Sequence, residues 1–165
     1  MKHILPIITI TTLAAAASAQ TAAASSGLSY NRVGLGYNTD SKGYSLSASA
    51  LIGSSNFVVS ADTTIGGGSS SNGNDSVSLG YVFKNVALGA DATLSIGSNE
   101  SYGLGIRKDL GNNIEASLGY TRESGSNGYS IGLAYNLTKQ YQLGVDYSKV
   151  SGASSETSIV LHYNF

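Results

Sequence analysis

Residues 129–137 read Tyr129-Ser-Ile131-Gly-Leu133-Ala-Tyr135-Asn-Leu137, and this stretch decides the fold class. Its odd positions are aliphatic or aromatic, and its even positions are small or polar. A period of two is typical of a β-strand whose two faces meet different surroundings. The stretch therefore predicts a strand with one apolar face and one small, polar face.

The same alternation recurs along most of the chain and predicts an all-β protein of about ten strands. We place the strands at about residues 28–37, 44–53, 57–65, 76–83, 86–96, 101–108, 114–122, 129–137, 141–149 and 156–165. Each has roughly the 9–11 residues with which a tilted strand crosses a bilayer, and no apolar run approaches the ~20 that a spanning helix needs. Eight strands are the alternative if a weak segment such as 28–37 does not pair.

The composition indicates that water does not surround the whole surface. Charged residues make up 12% of the chain, against about 25% in an ordinary soluble protein. The absence of cysteine excludes disulfides, thiolate metal sites and a cysteine nucleophile. The net charge of −1 gives no basic surface for nucleic acid, so no nucleic-acid partner is expected.

The N-terminal residues have the features of a secretory signal peptide. Lys2 and His3 precede the apolar run 4–13, and Ala17-Ser18-Ala19 matches a small-residue cleavage site. We predict a signal peptide over residues 1–19, cleaved after Ala19. A short segment at 20–27 and a barrel at 28–165 follow it.

The predicted connections and faces favour a transmembrane, up-and-down antiparallel β-barrel. Turns after the even-numbered segments are short, whereas those after the odd-numbered ones are mostly longer and rich in Gly, Ser and Asn, such as 66–74. That alternation is typical of outer-membrane barrels, whose strands turn the apolar face to lipid and the polar face to the lumen.

Aromatic residues on the apolar face lie near the predicted strand ends, as the two interfaces of a bilayer select. The belt predicted on the long-loop side consists of Tyr37, Tyr44, Tyr102, Tyr120, Tyr129 and Tyr147. The belt predicted on the short-turn side consists of Phe57, Tyr81, Phe83, Tyr135, Tyr141, Tyr163 and Phe165.

The final segment ends on Phe165, with Ile159, Leu161 and Tyr163 at alternate positions before it. This ending resembles the C-terminal assembly signal of small bacterial (Gram-negative) outer-membrane β-barrel proteins of the porin-like class. The resemblance implies an outer-membrane location, contact with outer-membrane lipid and lipopolysaccharide, and recognition by the barrel-assembly machinery. It matches no named subfamily.

The lumen is where the polar chemistry is expected. Its predicted inward polar residues are Arg32, Asp62, Asp91, Arg107, Glu115, Asp146, His162 and Asn164. The three aspartates each fall sixth in a predicted segment, which predicts one shared depth, with Arg32, Arg107 and Glu115 nearer the short turns. Two interpretations remain open: a lumen filled by paired charges, or a water-filled pore that the aspartates bias toward cations.

The function favoured is a narrow porin-like channel for ions or small polar solutes. The alternative is a non-conducting structural barrel, or an adhesion barrel that binds through its loops. We expect no enzyme activity and no catalytic residue, since His162 is the only histidine after the signal peptide and is expected in the lumen. No metal or cofactor is expected, because no His/carboxylate spacing suggests a metal site and no helix follows the glycines.

Overall fold

The computed structural model describes residues 27–66 and 75–165, so the predicted signal peptide lies outside the described residues. Its strands are β1 Arg32–Asn38, β2 Tyr44–Leu51, β3 Phe57–Ile65, β4 Ser76–Ala87, β5 Ala90–Gly97, β6 Ser101–Gly111, β7 Ile114–Glu123, β8 Ser126–Asn136, β9 Tyr141–Val150 and β10 Ser155–Asn164. No helix among the described residues is long and apolar enough to cross a membrane.

The strands form one closed antiparallel barrel in which each pairs with its sequence neighbours. β1 closes the barrel against β10, with Arg32 opposite Asn164 and Asn38 opposite Ser158. Closure leaves no sheet edge with unpaired N–H and C=O groups. The prediction of an all-β, ten-stranded, up-and-down barrel is confirmed.

Three of the hairpins are two-residue turns in which both residues have positive φ. They are Leu88–Gly89, Asn112–Asn113 and Ser124–Gly125. Turns of this kind follow the right-handed twist of the flanking strands, and asparagine and glycine adopt them at little cost. The predicted connection between segments 101–108 and 114–122 therefore contains the turn at Asn112–Asn113. No sequence preference predicts a turn at Leu88, whose φ is 52°.

The β4–β5 hairpin differs from the prediction, which placed its turn at residues 84–85. β4 continues to Ala87, and Asn85 takes a φ of 54° where the register of β4 shifts against β5. The Asp91 carboxylate accepts the Asn85 backbone N–H at 2.9 Å, which holds that irregularity in place. The predicted segment 86–96 would place Leu88 on its lipid-facing side, but Leu88 lies in the turn and is 88% exposed.

β1 begins at Arg32, four residues later than the segment predicted at 28–37. Leu28 and Tyr30 are buried instead of alternating with exposed neighbours along a strand. The sequence carries a signal for this break, because the apolar residues occupy even positions at 28 and 30 and odd positions from Val33 onward.

The two ends of the barrel differ less in loop length than expected. We call the end that carries the β2–β3, β4–β5, β6–β7 and β8–β9 connections the terminal end, because Gly27 and Phe165 lie there, and the other the loop end. Only the β3–β4 connection, residues 66–75, exceeds five residues, and both ends contain two-residue turns. The expected contrast between short turns and longer loops therefore holds for one connection.

Contacts between strands that are not neighbours identify the inner face. An Arg32 nitrogen on β1 lies 4.0 Å from a Glu115 oxygen on β7, which is at least four strands away around the barrel. Gln142 on β9 donates to the same carboxylate at 3.0 Å. Such contacts pass only through the lumen, so these residues and their alternate neighbours face inward.

The outer face is apolar over its whole circumference. Exposed aliphatic residues, such as Leu94, Leu104, Ile131 and Leu133, alternate with the lumen residues on successive strands. A water-soluble protein would not leave so large a contiguous apolar surface exposed.

Aromatic rings on the outer face contact one another at both ends of the barrel. At the loop end, the ring centroids of the pairs Tyr37–Tyr44 and Tyr120–Tyr129 are 5.3 Å apart. At the terminal end, those of Tyr141 and Tyr163 are 5.4 Å apart. A second group there has centroids 4.8–5.1 Å apart and consists of Phe57, Tyr81 and Phe83. Their role as membrane belts stays a prediction.

Adjacent residues of β8 test the facing directly. Ile131 is on the outer face and Ser130, its neighbour, is on the inner face, and both are exposed. Ile131→Arg should lower the free energy of unfolding by about 2–4 kcal/mol, because it places a charge in hydrocarbon. Ser130→Arg should cost much less. The measurement is equilibrium unfolding in lipid vesicles, and equal costs for the two variants would contradict the assigned facing.

Candidate functional site: the barrel lumen

Small residues line much of the inner wall and let polar side chains lie flat against it. A Cβ atom at Gly132 would overlap the carboxylate of Asp146 on the neighbouring strand. A Cβ atom at Gly34 would likewise overlap His162 and the hydroxyl of Ser47. Glycine at these positions therefore makes room for charged and polar groups close to the wall, so that they occupy less of the lumen.

A charged network crosses the lumen near the terminal end. Arg107 Nε donates to Glu115 Oε1 at 2.7 Å, and Arg32 approaches the same oxygen at 4.0 Å. Gln142 Nε2 donates to Glu115 Oε2 and to Asn136 Oδ1, both at 3.0 Å. One carboxylate thus faces two guanidinium groups from different strands and balances one of their two positive charges, which partly compensates for the burial of the three charged groups.

The segment just before β1 folds into the lumen and joins this network. The Tyr30 hydroxyl donates to Asp91 Oδ2 at 3.0 Å, and Arg107 donates to the Ser29 carbonyl at 2.8 Å. The Arg107 guanidinium also lies 4.8 Å from the centre of the Tyr30 ring, within cation–π range. Burial raises the pKa of Tyr30 well above its ordinary value, so the hydroxyl stays protonated and donates.

Hydrogen bonds to backbone groups hold the same segment against β2 and the C-terminal residue. Asn31 Oδ1 accepts the Leu51 N–H at 2.8 Å, and Ser49 donates to the Tyr30 carbonyl at 2.8 Å. The Phe165 N–H donates to the Asn31 carbonyl at 3.0 Å. Residues 28–31 therefore have defined partners at the terminal end.

An apolar cluster fills the lumen beside this segment. Leu28 and Tyr30 pack with Val58 and Val82 from β3 and β4, and Leu51 packs against them. Val82 is fully buried, although it faces into the barrel. This cluster and the charged network together occupy the terminal end of the lumen. We call them the plug; it comprises residues 28–31, the apolar residues packed against them, and the network of Arg32, Asp91, Arg107, Glu115 and Gln142.

Exposure of the inward side chains increases toward the loop end. Asp91, Gln142 and Glu115 are only 1%, 2% and 6% exposed, whereas Asp62 and Ser130 are exposed. Since all five face the lumen, water reaches the loop half of the lumen and is largely excluded from the plug.

The sequence predicts that Asp62, Asp91 and Asp146 lie at one depth in the lumen. This prediction is wrong for Asp91. Asp91 is the second residue of β5, directly after the 88–89 turn, because the strand starts four residues later than predicted. Asp62 and Asp146 are each the sixth residue of their strands, β3 and β9. Asp91 therefore belongs to the plug, and Asp62 and Asp146 line the lumen beyond it.

The remaining predicted residues lie on the inner face. Arg107 is the cross-strand partner of Asp91, and His162 is opposite Gln142 and Gly34. Asn164 is opposite Arg32 at the barrel closure. Their role in conduction stays a prediction.

Sequence reasoning missed the residues that build the plug. Tyr30 was assigned to a strand, although the change of apolar phase after it marked the break. Alternation along β9 predicts that Gln142 faces inward, but its uncharged side chain carries no sequence signal of a role in the network. Gln142 Oε1 and His162 Nδ1 are the two buried side-chain atoms among the described residues without a hydrogen-bond partner.

The described residues contain no group of three or more His, Asp or Glu side chains placed to hold a metal ion.

Two solved structures similar to this barrel are structures of a porin. One is the KdgM porin in complex with disordered oligogalacturonate, with a TM-score of 0.52 and 16% identity over 81% of this chain and 99% of that chain. Another is the KdgM porin, with a TM-score of 0.50 and the same identity and coverage. No protein-family model matches the sequence, and no curated protein does. At this identity the likeness establishes a porin-like barrel fold.

The shared carboxylate of Glu115 offers a test of the network. Glu115→Gln leaves Arg107 and Arg32 without their common counter-ion, so the free energy of unfolding should fall by about 3 kcal/mol. Glu123→Gln, which changes an exposed carboxylate on the same strand, should have little effect. Urea unfolding of the refolded barrel measures both, and an unchanged midpoint for Glu115→Gln would show that the network does not stabilise the fold.

Proposed function

We propose that this protein is an outer-membrane channel, narrow and porin-like, that passes ions or small polar solutes. The observation that supports this most strongly is the opposition of its two faces. The outer face is apolar and ringed by tyrosine and phenylalanine, and the loop half of the lumen is lined by small polar residues and exposed carboxylates. A lipid-embedded barrel with a hydrated interior has this arrangement.

The likeness to porins supports the same proposal at the level of the fold. One similar porin is described in complex with oligogalacturonate, which is consistent with a solute path through a barrel of this kind. The lumen of the present chain supports a narrow path, because Arg32 and Glu115 approach each other to 4.0 Å across it. Small solutes are therefore favoured over large ones.

Asp62 and Asp146 support a preference for cations. Both lie on the inner face beyond the plug, and neither is within 4.0 Å of a cationic side chain among the described residues. Carboxylates that line a pore attract cations and repel anions. Arg32, in the charged network of the plug, lies nearer the terminal end than these two residues, so the potential changes sign along the path.

The alternative is a non-conducting barrel that is structural or that binds partners through its loops. The plug favours it, because Val82 and Asp91 at the terminal end are 0% and 1% exposed. The two functions differ in whether the plug leaves a continuous path beside it, and ion conduction distinguishes them.

We propose the route of biogenesis that the sequence predicts. The chain is exported with cleavage after Ala19, and the alternating ending Ile159, Leu161, Tyr163 and Phe165 serves as the signal for the assembly machinery. In the folded barrel the Tyr163 and Phe165 rings stack at 6.4 Å between centroids on the outer surface. Contact with lipid and lipopolysaccharide is expected along the same face.

The double variant Asp62→Asn/Asp146→Asn tests the cation preference. It removes two negative charges with little change in volume, so the reversal potential in a salt gradient should shift toward that of a non-selective pore. The shift should be larger in dilute salt, where the Debye length is about 30 Å at 0.01 M. The charge-conserving variant Asp62→Glu/Asp146→Glu should behave like the original protein. No current from the original protein, or no shift in the Asn variant, would contradict the proposal.

Tyr30→Ala tests whether the plug limits conduction. It removes the ring that packs under Arg107 and the hydrogen bond to Asp91. Single-channel conductance in a planar bilayer should therefore rise. Tyr129→Ala, which removes an aromatic ring from the outer face, is the matched control and should leave conductance unchanged. Equal conductance of the Tyr30 variant and the original protein would show that this part of the plug does not limit conduction.

A further inference from the structure

Among the strands that the structure describes, the outer face carries charges of one sign only, whereas the inner face carries both signs. In the strands that the structure describes, alternation assigns three charged residues to the outer face, and all three are cations: Lys108, Arg122 and Lys149. The strand carboxylates fall on the inner face or its rim, and these are Asp62, Asp91, Asp109, Glu115, Glu123, Asp146 and Glu156. A chain with a net charge of −1 therefore presents only positive charge on its outer wall.

Arg122 and Lys149 lie close together at the loop end of this wall. Lys149 is opposite Tyr129, which is opposite Tyr120, so Lys149 is level with the tyrosines of the loop-end group. Arg122 follows Tyr120 by two residues toward the loop end and is opposite Tyr102 and Asn127. Both cations are therefore at or just beyond the outer-face tyrosines.

The spacing of the two cations suits one shared anion or two adjacent ones. They are on β7 and β9, separated by one strand, which is about 10 Å across the sheet, and their register differs by two residues, about 7 Å along the strand. Both side chains are exposed. Lys149 donates to the Ala153 carbonyl at 2.9 Å, and no ion pair occupies either cation within the described residues.

We propose that Arg122 and Lys149 form a binding site for the phosphate of a lipid headgroup in the leaflet at the loop end. The site rests on the membrane-spanning orientation of the proposed function and is independent of conduction. Tyrosines mark the boundary between hydrocarbon and headgroups. Cations just beyond them lie where lipid phosphates are, and guanidinium and ammonium groups both bind phosphate.

Charge complementarity selects lipid over a protein partner. The outer wall around the site is aliphatic and aromatic, so its occupant must cover apolar surface below and offer negative charge above. A phosphorylated lipid does both with one molecule. A second copy of this chain would bring the same positive pair to the interface, and the two pairs would repel each other.

A lipid titration tests the site. The folded protein in neutral micelles is titrated with phosphatidic acid, and native mass spectrometry gives the apparent Kd of the first bound lipid. Arg122→Gln/Lys149→Gln should weaken that Kd roughly 10- to 30-fold, as two basic groups near an anionic surface predict. Lys108→Gln, which removes the outward cation at the terminal end, is the matched control and should leave the Kd unchanged.

Competition experiments with inorganic phosphate and with phosphatidylcholine distinguish binding of an anionic lipid from binding of free phosphate or of any lipid. The proposal expects neither to displace phosphatidic acid at equal concentration. Equal affinity of the original protein and the double variant would overturn it, as would full competition by inorganic phosphate. Heat-modifiable electrophoretic migration shows that each variant is folded before titration.

Conductance of the same samples separates this site from the proposed channel. Because Arg122 and Lys149 face away from the lumen, the double variant should conduct like the original protein. If the original protein conducts but binds phosphatidic acid no more tightly than the double variant does, the lipid site alone is overturned. A protein that shows the Kd difference but passes no current overturns the channel and supports the lipid site.

Discussion

Pairing of β1 with β10 is the constraint on which the rest of the structure depends. It joins Arg32 through Asn38 to residues 158–164 and turns a ten-stranded sheet into a barrel without edges. In an apolar surrounding, each unpaired backbone group would cost several kcal/mol, so only a closed barrel can present strands to lipid. Closure also creates an inside and an outside. Alternation along each strand then assigns every side chain to one or the other.

Closure determines the chemistry of the lumen as well. It brings Arg32 of β1, Glu115 of β7 and Gln142 of β9 together, although they are far apart in sequence. It also places the N-terminal segment directly against the C-terminal residue, through the Asn31–Phe165 backbone hydrogen bond. The plug is thus built from the segment before β1 and from strands around the barrel, so no local part of the chain contains it.

Alternation made the strand count, the closed architecture and the two faces predictable from sequence, because a period of two depends only on neighbouring residues. Exact turn positions were less accessible. At β4–β5 the Lys84-Asn85 pair had the better turn residues, yet Asn85 forms a bulge held by Asp91 and the turn falls at Leu88–Gly89. Asp91 also accepts the hydrogen bond of Tyr30 from outside the hairpin. Local residue preference does not include that tertiary contact, so it misplaced the strand start and the depth of Asp91.

The candidate site was predictable as a list of inward residues but not as an arrangement. That Arg107, Arg32 and Glu115 belong to the lumen followed from their positions in the alternation. In the arrangement, the Glu115 carboxylate contacts both arginines, and the Tyr30 ring stacks against Arg107. Both features require side chains to meet across the barrel. Such contacts depend on barrel diameter and stagger, which a single sequence does not specify.

The facing of the strands in a bilayer is the central claim, and single-cysteine labelling along β8 tests it most directly. The chain contains no cysteine, so one nitroxide label at a time can be placed at Ser130, Ile131 and Leu133. In reconstituted vesicles, labels at 131 and 133 should collide with lipid-dissolved oxygen, and the label at 130 with a water-soluble nickel complex. Uniform accessibility, or the opposite alternation, would contradict a membrane barrel with a hydrated lumen.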